Sequence, residues 1–218
     1  MSFSKISLEC SRYLDEVLES RRSIRSFKPE IPSKEIVKDI LRAGILAPYA
    51  SMASDKDFRR FVVVSRDSLI TPKIAELVRK RAPAVYQRIN DEMQRNAELK
   101  DKAQRFAKRL DTVSKEGIPA IGTAPYFVVV AERRGFPPVA QQFLAHCLQN
   151  MWLKATALEL GFHLVSATAL MAEDASFCEL VGVPFGEYEL NGCALGVPRE
   201  APPPRERPAL EDTTSWLC

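Results

Sequence analysis

A chain of 218 residues is long enough to bury one sizeable core, and 46% hydrophobic with 27% charged residues is an ordinary globular composition. A formal net charge of +3 is too small to imply a nucleic-acid partner, and no apolar run approaches the ~18 residues that cross a bilayer. Charges at Lys5, Glu9, Arg12, Asp15, Glu16 and Glu19 break up any secretory leader core, so a soluble, cytoplasmic protein is expected.

The five cysteines (Cys10, Cys147, Cys178, Cys193 and Cys218) are scattered, odd in number and without a C-x-x-C pair, which argues against a disulfide framework and against zinc. His146 falls inside an apolar helical pattern and His163 enters a strand, so both are expected to pack rather than to ligate, and no metal site is expected.

Along the chain, residues 8–20 predict a helix with Leu14, Val17 and Leu18 on one stripe and Asp15, Glu16 and Glu19 opposite. Arg21-Arg22-Ser23-Ile24-Arg25-Ser26-Phe27 follows at its C-terminal end, where the helix dipole favours cations. Guanidinium forks match phosphate oxygens, so this cluster reads either as a grip on a phosphorylated cofactor or as a solvated basic turn. Pro32 and Ser33 open a second helix, with Ser33 as N-cap, Ile36, Val37, Ile40 and Leu41 as its apolar face, and Pro48 beyond its end. Phe61–Val64 reads as a buried strand.

Residues 71–117 differ in character: from 73 to 116 there are twelve Lys and Arg against seven Asp and Glu, at helical spacing. Such a run is a solvated helical face, a mobile excursion or a cap over a pocket. Tyr126–Val130 is a second buried strand. Residues 138–160 form the longest predicted helix, apolar around most of its circumference, with Gly161 as its expected C′ stop. Strands are expected at 163–167 and 190–195, with a helix around 173–181 between them. Pro198, Pro202, Pro203, Pro204 and Pro208 keep the tail extended.

Four short strands among at least five helices indicate an α+β or mixed α/β fold in one domain, residues 1–218. No G-x-G-x-x-G, P-loop or G-x-S-x-G occurs among the nine glycines. A nucleotide-like cofactor would therefore have its phosphate held by side chains, which returns attention to arginine.

Several ordered segments resemble the FMN-dependent nitroreductase family. They are RRSIRSF at 21–27, Ala43-Gly44-Ile45-Leu46-Ala47-Pro48, the FVVV strand, and Ala124-Pro125 leading into YFVVV. Further on come Gln149-Asn150, Glu159-Leu160-Gly161, Gly182-Val183-Pro184, Leu195-Gly196-Val197-Pro198 and Arg205-Glu206-Arg207-Pro208. The set covers most of the chain except 71–117. The resemblance implies a mixed, mainly antiparallel sheet flanked by helices, a charged helical insertion at 71–117 and an extended C-terminal arm at 198–218. It also implies a homodimer with FMN in each interface.

Carried over by motif, Arg21, Arg22 and Ser23 would contact the phosphate and ribityl chain, and Arg205 and Arg207 would close on the phosphate from the arm. Arg25 would face the pyrimidine edge of the flavin and act catalytically, since a guanidinium there stabilises the negative charge of the reduced ring. The turn Ser166-Ala167-Thr168 would lie against the ring. The implied reaction is ping-pong: NAD(P)H donates, then a nitroaromatic, quinone or related small acceptor is reduced. The loop after Pro48 departs from the family's S-x-x-N-x-Q-P-W pattern, with Tyr49, Ser51 and Met52 as candidates facing the partner's flavin. That departure keeps flavin-as-substrate chemistry and reductive dehalogenation open. A non-catalytic protein binding nucleic acid or an acidic partner through the basic insertion is the remaining alternative, although no groove-reading motif supports nucleic acid.

Overall fold

The computed structural model describes residues 7–49, 57–204 and 206–217; Ser51, Met52 and Arg205 lie outside the described residues. Its centre is β2 (Tyr126–Arg133), whose sequence YFVVVAER is buried at every position but the last. Alternation along this strand sends Phe127, Val129 and Ala131 to one face of the sheet and Tyr126, Val128 and Val130 to the other. β1 (Arg59–Ser65) pairs antiparallel with β2 on one side and β4 (Tyr188–Gly196) on the other, and β3 (Gly161–Leu164) pairs antiparallel with β4. The order is β1-β2-β4-β3. One isolated parallel bridge, Ser23 to Phe162, extends the sheet beyond β3. The expected α+β fold with a mainly antiparallel sheet between helices is the one observed.

Each face has its own core. Helices α2 (Lys34–Ile45) and α6 (Ala140–Ala157) cover one, packing Val37, Ile40, Leu144 and Met151 against Val128 and Phe162. Ser33 caps α2 as expected, its hydroxyl accepting from Ile36 N at 3.3 Å. The opposite face is covered by α3 (Thr71–Arg95), a four-residue turn α5 (Ala120–Thr123), a 3₁₀ helix (Ser166–Glu173) and α7 (Ala175–Leu180), with Ile74, Val78, Met171 and Phe177 buried there. The charged insertion is a hairpin of α3 and α4 (Ala97–Glu116), hinged at Asn96, which ends one helix and caps the next. Some of its charges pair along its own surface, as in Lys80–Glu76, Lys102–Glu98 and Lys115–Asp111, while Val78, Ala82, Ala107 and Leu110 turn inward.

Four local expectations are corrected. The strand at 61–64, expected to be buried, is the sheet edge β1, with Val64 alone of the four buried and Val63 39% exposed. Helix α1 (Leu8–Ser20) forms as expected, with none of its residues buried and Leu14 and Leu18 52% and 46% exposed. His146 is exposed, because the core-facing stripe of α6 runs through Leu144, Cys147, Leu148 and Met151 instead. The strand expected over 163–167 ends at Leu164: Val165 makes the last ladder bond, to Gly192 O at 2.8 Å, and Thr168 N then closes a turn onto Val165 O at 3.0 Å. The left-handed residue after α6 is Glu159 (φ 57°) rather than Gly161. Gly161 is needed for another reason, since a Cβ there would lie 2.7 Å from Ile24 Cγ2.

Candidate functional site

The Arg/Ser cluster is an extended strap rather than a turn. Ile24 N donates to Phe162 O at 3.0 Å, Lys28 N to Val197 O at 2.9 Å and Arg199 N to Ser26 O at 3.0 Å, so the strap is tied to β3 on one side and to the start of the C-terminal arm on the other. Ile24 and Phe27 are buried while Arg25 is exposed; these two inward positions are three residues apart, so the strap does not follow a simple strand alternation. Sequence spacing alone would not separate the inward residues from the outward ones, since the bonds to β3 and the arm set the register.

Arg21 stacks over the Trp152 ring at 4.2 Å, and Trp152 stacks in turn on Phe162 at 5.0 Å. The indole Nε1 donates to Arg22 O at 3.1 Å, which holds the aromatic platform against the strap. The Arg21 guanidinium has its pKa lowered by partial burial first, then by the positive charges of Arg207 and Arg22. Arg207 of the arm therefore sits close enough to Arg21 to be felt electrostatically. Arg22 has a second duty: its Nη1 donates to the carbonyls of Glu19 and Arg21 and so closes the end of α1.

Two cavities meet at Arg25. The smaller, about 360 Å³, is lined by Ser23, Arg25, Ser26 and the arm residues Glu200, Pro202 and Pro203. The larger, about 590 Å³, lies between the α3–α4 hairpin and the end of β3; Val78, Phe106, Leu110 and Val165 are among its apolar walls, and Ser166 and Ala167 line it as well. Thr168 is fully buried, with its hydroxyl lacking a partner among the described residues and only 2.7 Å from where a Cβ on Gly192 would stand. Tyr49 is 47% exposed and stacks on Phe58 at 4.2 Å, away from both cavities. The structure thus brings Arg21, Arg22, Ser23, Arg25 and Arg207 into one region and Ser166 and Ala167 beside Arg25, but leaves Tyr49 apart.

Three residues of the larger cavity had no assigned role in the sequence reading. His163 was expected only to pack, and it is indeed 6% exposed, yet it lines the cavity with Nδ1 unpartnered among the described residues. Burial, assisted by the charges of Arg25 and Arg109, pushes its pKa down to about 4, so it is neutral near pH 7. Arg81 and Arg109 reach the same cavity from α3 and α4. Arg81 pairs with Glu173 at 2.6 Å, while its Nε is buried without a partner among the described residues. The one sequence signal was alternation: if Phe162 faces one core, His163 faces the side that the insertion covers.

The sequence profile of the Nitroreductase family matches residues 18–197. The chain belongs to the nitroreductase family. Among solved structures it resembles a nitroreductase with bound FMN from Bacteroides fragilis (20% identity, 94% of this chain and 98% of that chain, TM-score 0.69). It also resembles a BluB-like flavoprotein from Clostridium difficile (23% identity, 94% and 99%, TM-score 0.68). A third similar structure is an iodotyrosine deiodinase bound to FMN and 3-iodo-L-tyrosine (20% identity, 90% and 96%, TM-score 0.67). At these identities the neighbours speak for the fold alone. No curated protein matches the chain. No helix among the described residues is long and apolar enough to cross a membrane, and none of them forms a group of three or more His, Cys, Asp or Glu suited to a metal ion.

Proposed function

We propose that this nitroreductase-family protein is an FMN-dependent oxidoreductase. It takes reducing equivalents from NAD(P)H and delivers them to nitroaromatic, quinone or related small acceptors. The observation that carries this reading is the position of Arg25 in the wall shared by two cavities, one edged by hydroxyls and the C-terminal arm, the other apolar and roofed by the hairpin. FMN-bound neighbours of the same fold support the choice of cofactor.

The residues fit the group. Arg21 and Arg207 bring two mutually repelling guanidiniums together, an arrangement that a phosphate dianion relieves. Arg22 adds its charge while holding α1, Ser23 offers a hydroxyl for the ribityl chain, and Arg205 is assigned to the same phosphate from its place in the motif. When bound, the flavin supplies the hydride-accepting and hydride-donating chemistry. Arg25 contributes fixed positive charge at the pyrimidine edge. Ser166, Ala167 and Thr168 would present backbone to the ring, and the bond from Thr168 N to Val165 O at 3.0 Å closes the bend.

A homodimer is part of the proposal. The exposed apolar positions Leu14 and Leu18 of α1, with Ile45 and Leu46 at the end of α2, suit a second copy of the chain, and Tyr49, Ser51 and Met52 are assigned to the partner's flavin. Buried free thiols at Cys147, Cys178 and Cys193 suit a reducing cytoplasm, where the nicotinamide donor is also found.

The test is optical. Purified protein should take up FMN with a bound-flavin absorption spectrum that bleaches anaerobically on addition of NADPH or NADH. Failure to bind FMN would overturn the proposal. Arg25→Ala should bleach at least about tenfold more slowly or retain FMN more weakly. Unchanged bleaching and retention would remove Arg25 from the site.

A further inference from the structure

We infer that the cavity beneath the α3–α4 hairpin binds the oxidised acceptor, and that this acceptor is an aromatic anion whose acidic group is held by Arg81 Nε and His163 Nδ1. The inference rests on the oxidoreductase reading above and narrows its substrate class.

Two buried polar atoms without partners among the described residues, Arg81 Nε and His163 Nδ1, belong to residues that line one cavity. A buried donor left unmade costs on the order of 1–3 kcal/mol, so two around one space point to a ligand that satisfies them. A guanidinium only donates, hence the ligand must accept. Charge fixes the sign: Arg81 and Arg109 line the cavity beside Arg25, Glu116 is the one carboxylate among the described lining residues, and Glu173 answers Arg81 only at its far end. His163 adds no positive charge near pH 7 but provides a neutral N–H in the tautomer that donates from Nδ1. The remaining walls, including Val78, Ala82, Val85, Phe106 and Leu110, are apolar and suited to a ring. Arg21, Arg22 and Arg207, the proposed phosphate holders, are not among the lining residues, so the anion here is distinct from the cofactor's phosphate.

The experiment is calorimetric titration of the FMN-loaded protein with 4-nitrobenzoate and with uncharged 4-nitrobenzyl alcohol. The acid should bind at least about tenfold more tightly, the worth of one charged hydrogen bond. Arg81→Gln should bring the two ligands within about twofold of each other while FMN stoichiometry is unchanged. Equal affinities in the unaltered protein would overturn the inference, as would full preference retained in Arg81→Gln. Acid binding that disappears when FMN is loaded would assign the cavity to the flavin itself and overturn it too. Should Arg81→Gln not fold, ¹⁵N-histidine spectra of the unaltered protein decide: the buried His163 Nδ1 resonance should shift with the acid and not with the alcohol, and an unmoved resonance refutes the contact. A protein that takes up no FMN sinks the oxidoreductase reading, and the acceptor role with it. FMN uptake without a preference for the acid sinks this inference alone.

Discussion

Arg59 enters the core from β1 with its side chain 1% exposed and faces Glu132, 3% exposed, across the β1–β2 ladder. Its Nε donates to Glu132 Oε2 at 2.6 Å and its Nη2 to Oε1 at 3.2 Å. The same guanidinium donates to Gly44 O at 2.7 Å, Ala47 O at 3.3 Å and Pro48 O at 3.0 Å, so it ties the end of α2 to the sheet. Arg59→Met keeps much of the volume and removes all five bonds. Glu132 already has its carboxyl pushed up by burial, with Arg59 opposing that rise, and without Arg59 the rise is larger. Breaking a buried pair from one side costs about 3–5 kcal/mol. At about 2–4 °C per kcal/mol for a chain of this size, the melting temperature should fall on the order of 10 °C. A carboxyl whose folded pKa lies above its unfolded value binds more protons when folded, so the deficit should grow as pH rises above about 4.5. The assay is urea unfolding at pH 5 and pH 7, with Arg59→Met/Glu132→Leu alongside. The double variant should regain at least about 2 kcal/mol, because the stranded carboxylate is gone. A loss under about 1 kcal/mol, or no recovery in the double variant, would refute the reasoning.

Gly196→Ala places a Cβ 2.4 Å from Pro125 Cδ and 3.0 Å from Phe27 Cδ1, where a proline ring and two tied strands leave little room to yield. A loss of at least about 1–3 kcal/mol is expected in chemical denaturation, and a loss below about 0.5 would show that the junction relaxes. For His163, a folded pKa of about 4 against 6.5 unfolded means that unfolding takes up a proton between those values, so stability should fall as pH drops from 6.5 toward 4, by as much as about 3 kcal/mol. His163→Gln should flatten that part of the pH profile; identical profiles for the two proteins would count against a buried neutral imidazole.

The local physical chemistry of this sequence determined much of the framework. β-branched runs at 61–64 and 126–130 both became strands, the second at the centre of the sheet with both faces covered and the first at its edge. Ser33 started α2, and the absence of glycine-rich phosphate loops left arginines as the only plausible phosphate holders. Tertiary structure decided which side chains share a space. Arg59 and Glu132 stand 73 residues apart in the chain, and Arg81 and His163 line one cavity only because a hairpin folds over the end of β3. The bonds of the strap to β3 and to the arm, rather than any regular period in its sequence, left Arg25 outward while Ile24 and Phe27 went in. Helix α1 shows the converse: its apolar period was legible, yet its stripe found no core among the described residues. Periodicity is a property of neighbours along the chain, whereas burial, unpaired donors and shifted pKa values depend on what other elements bring to the same place.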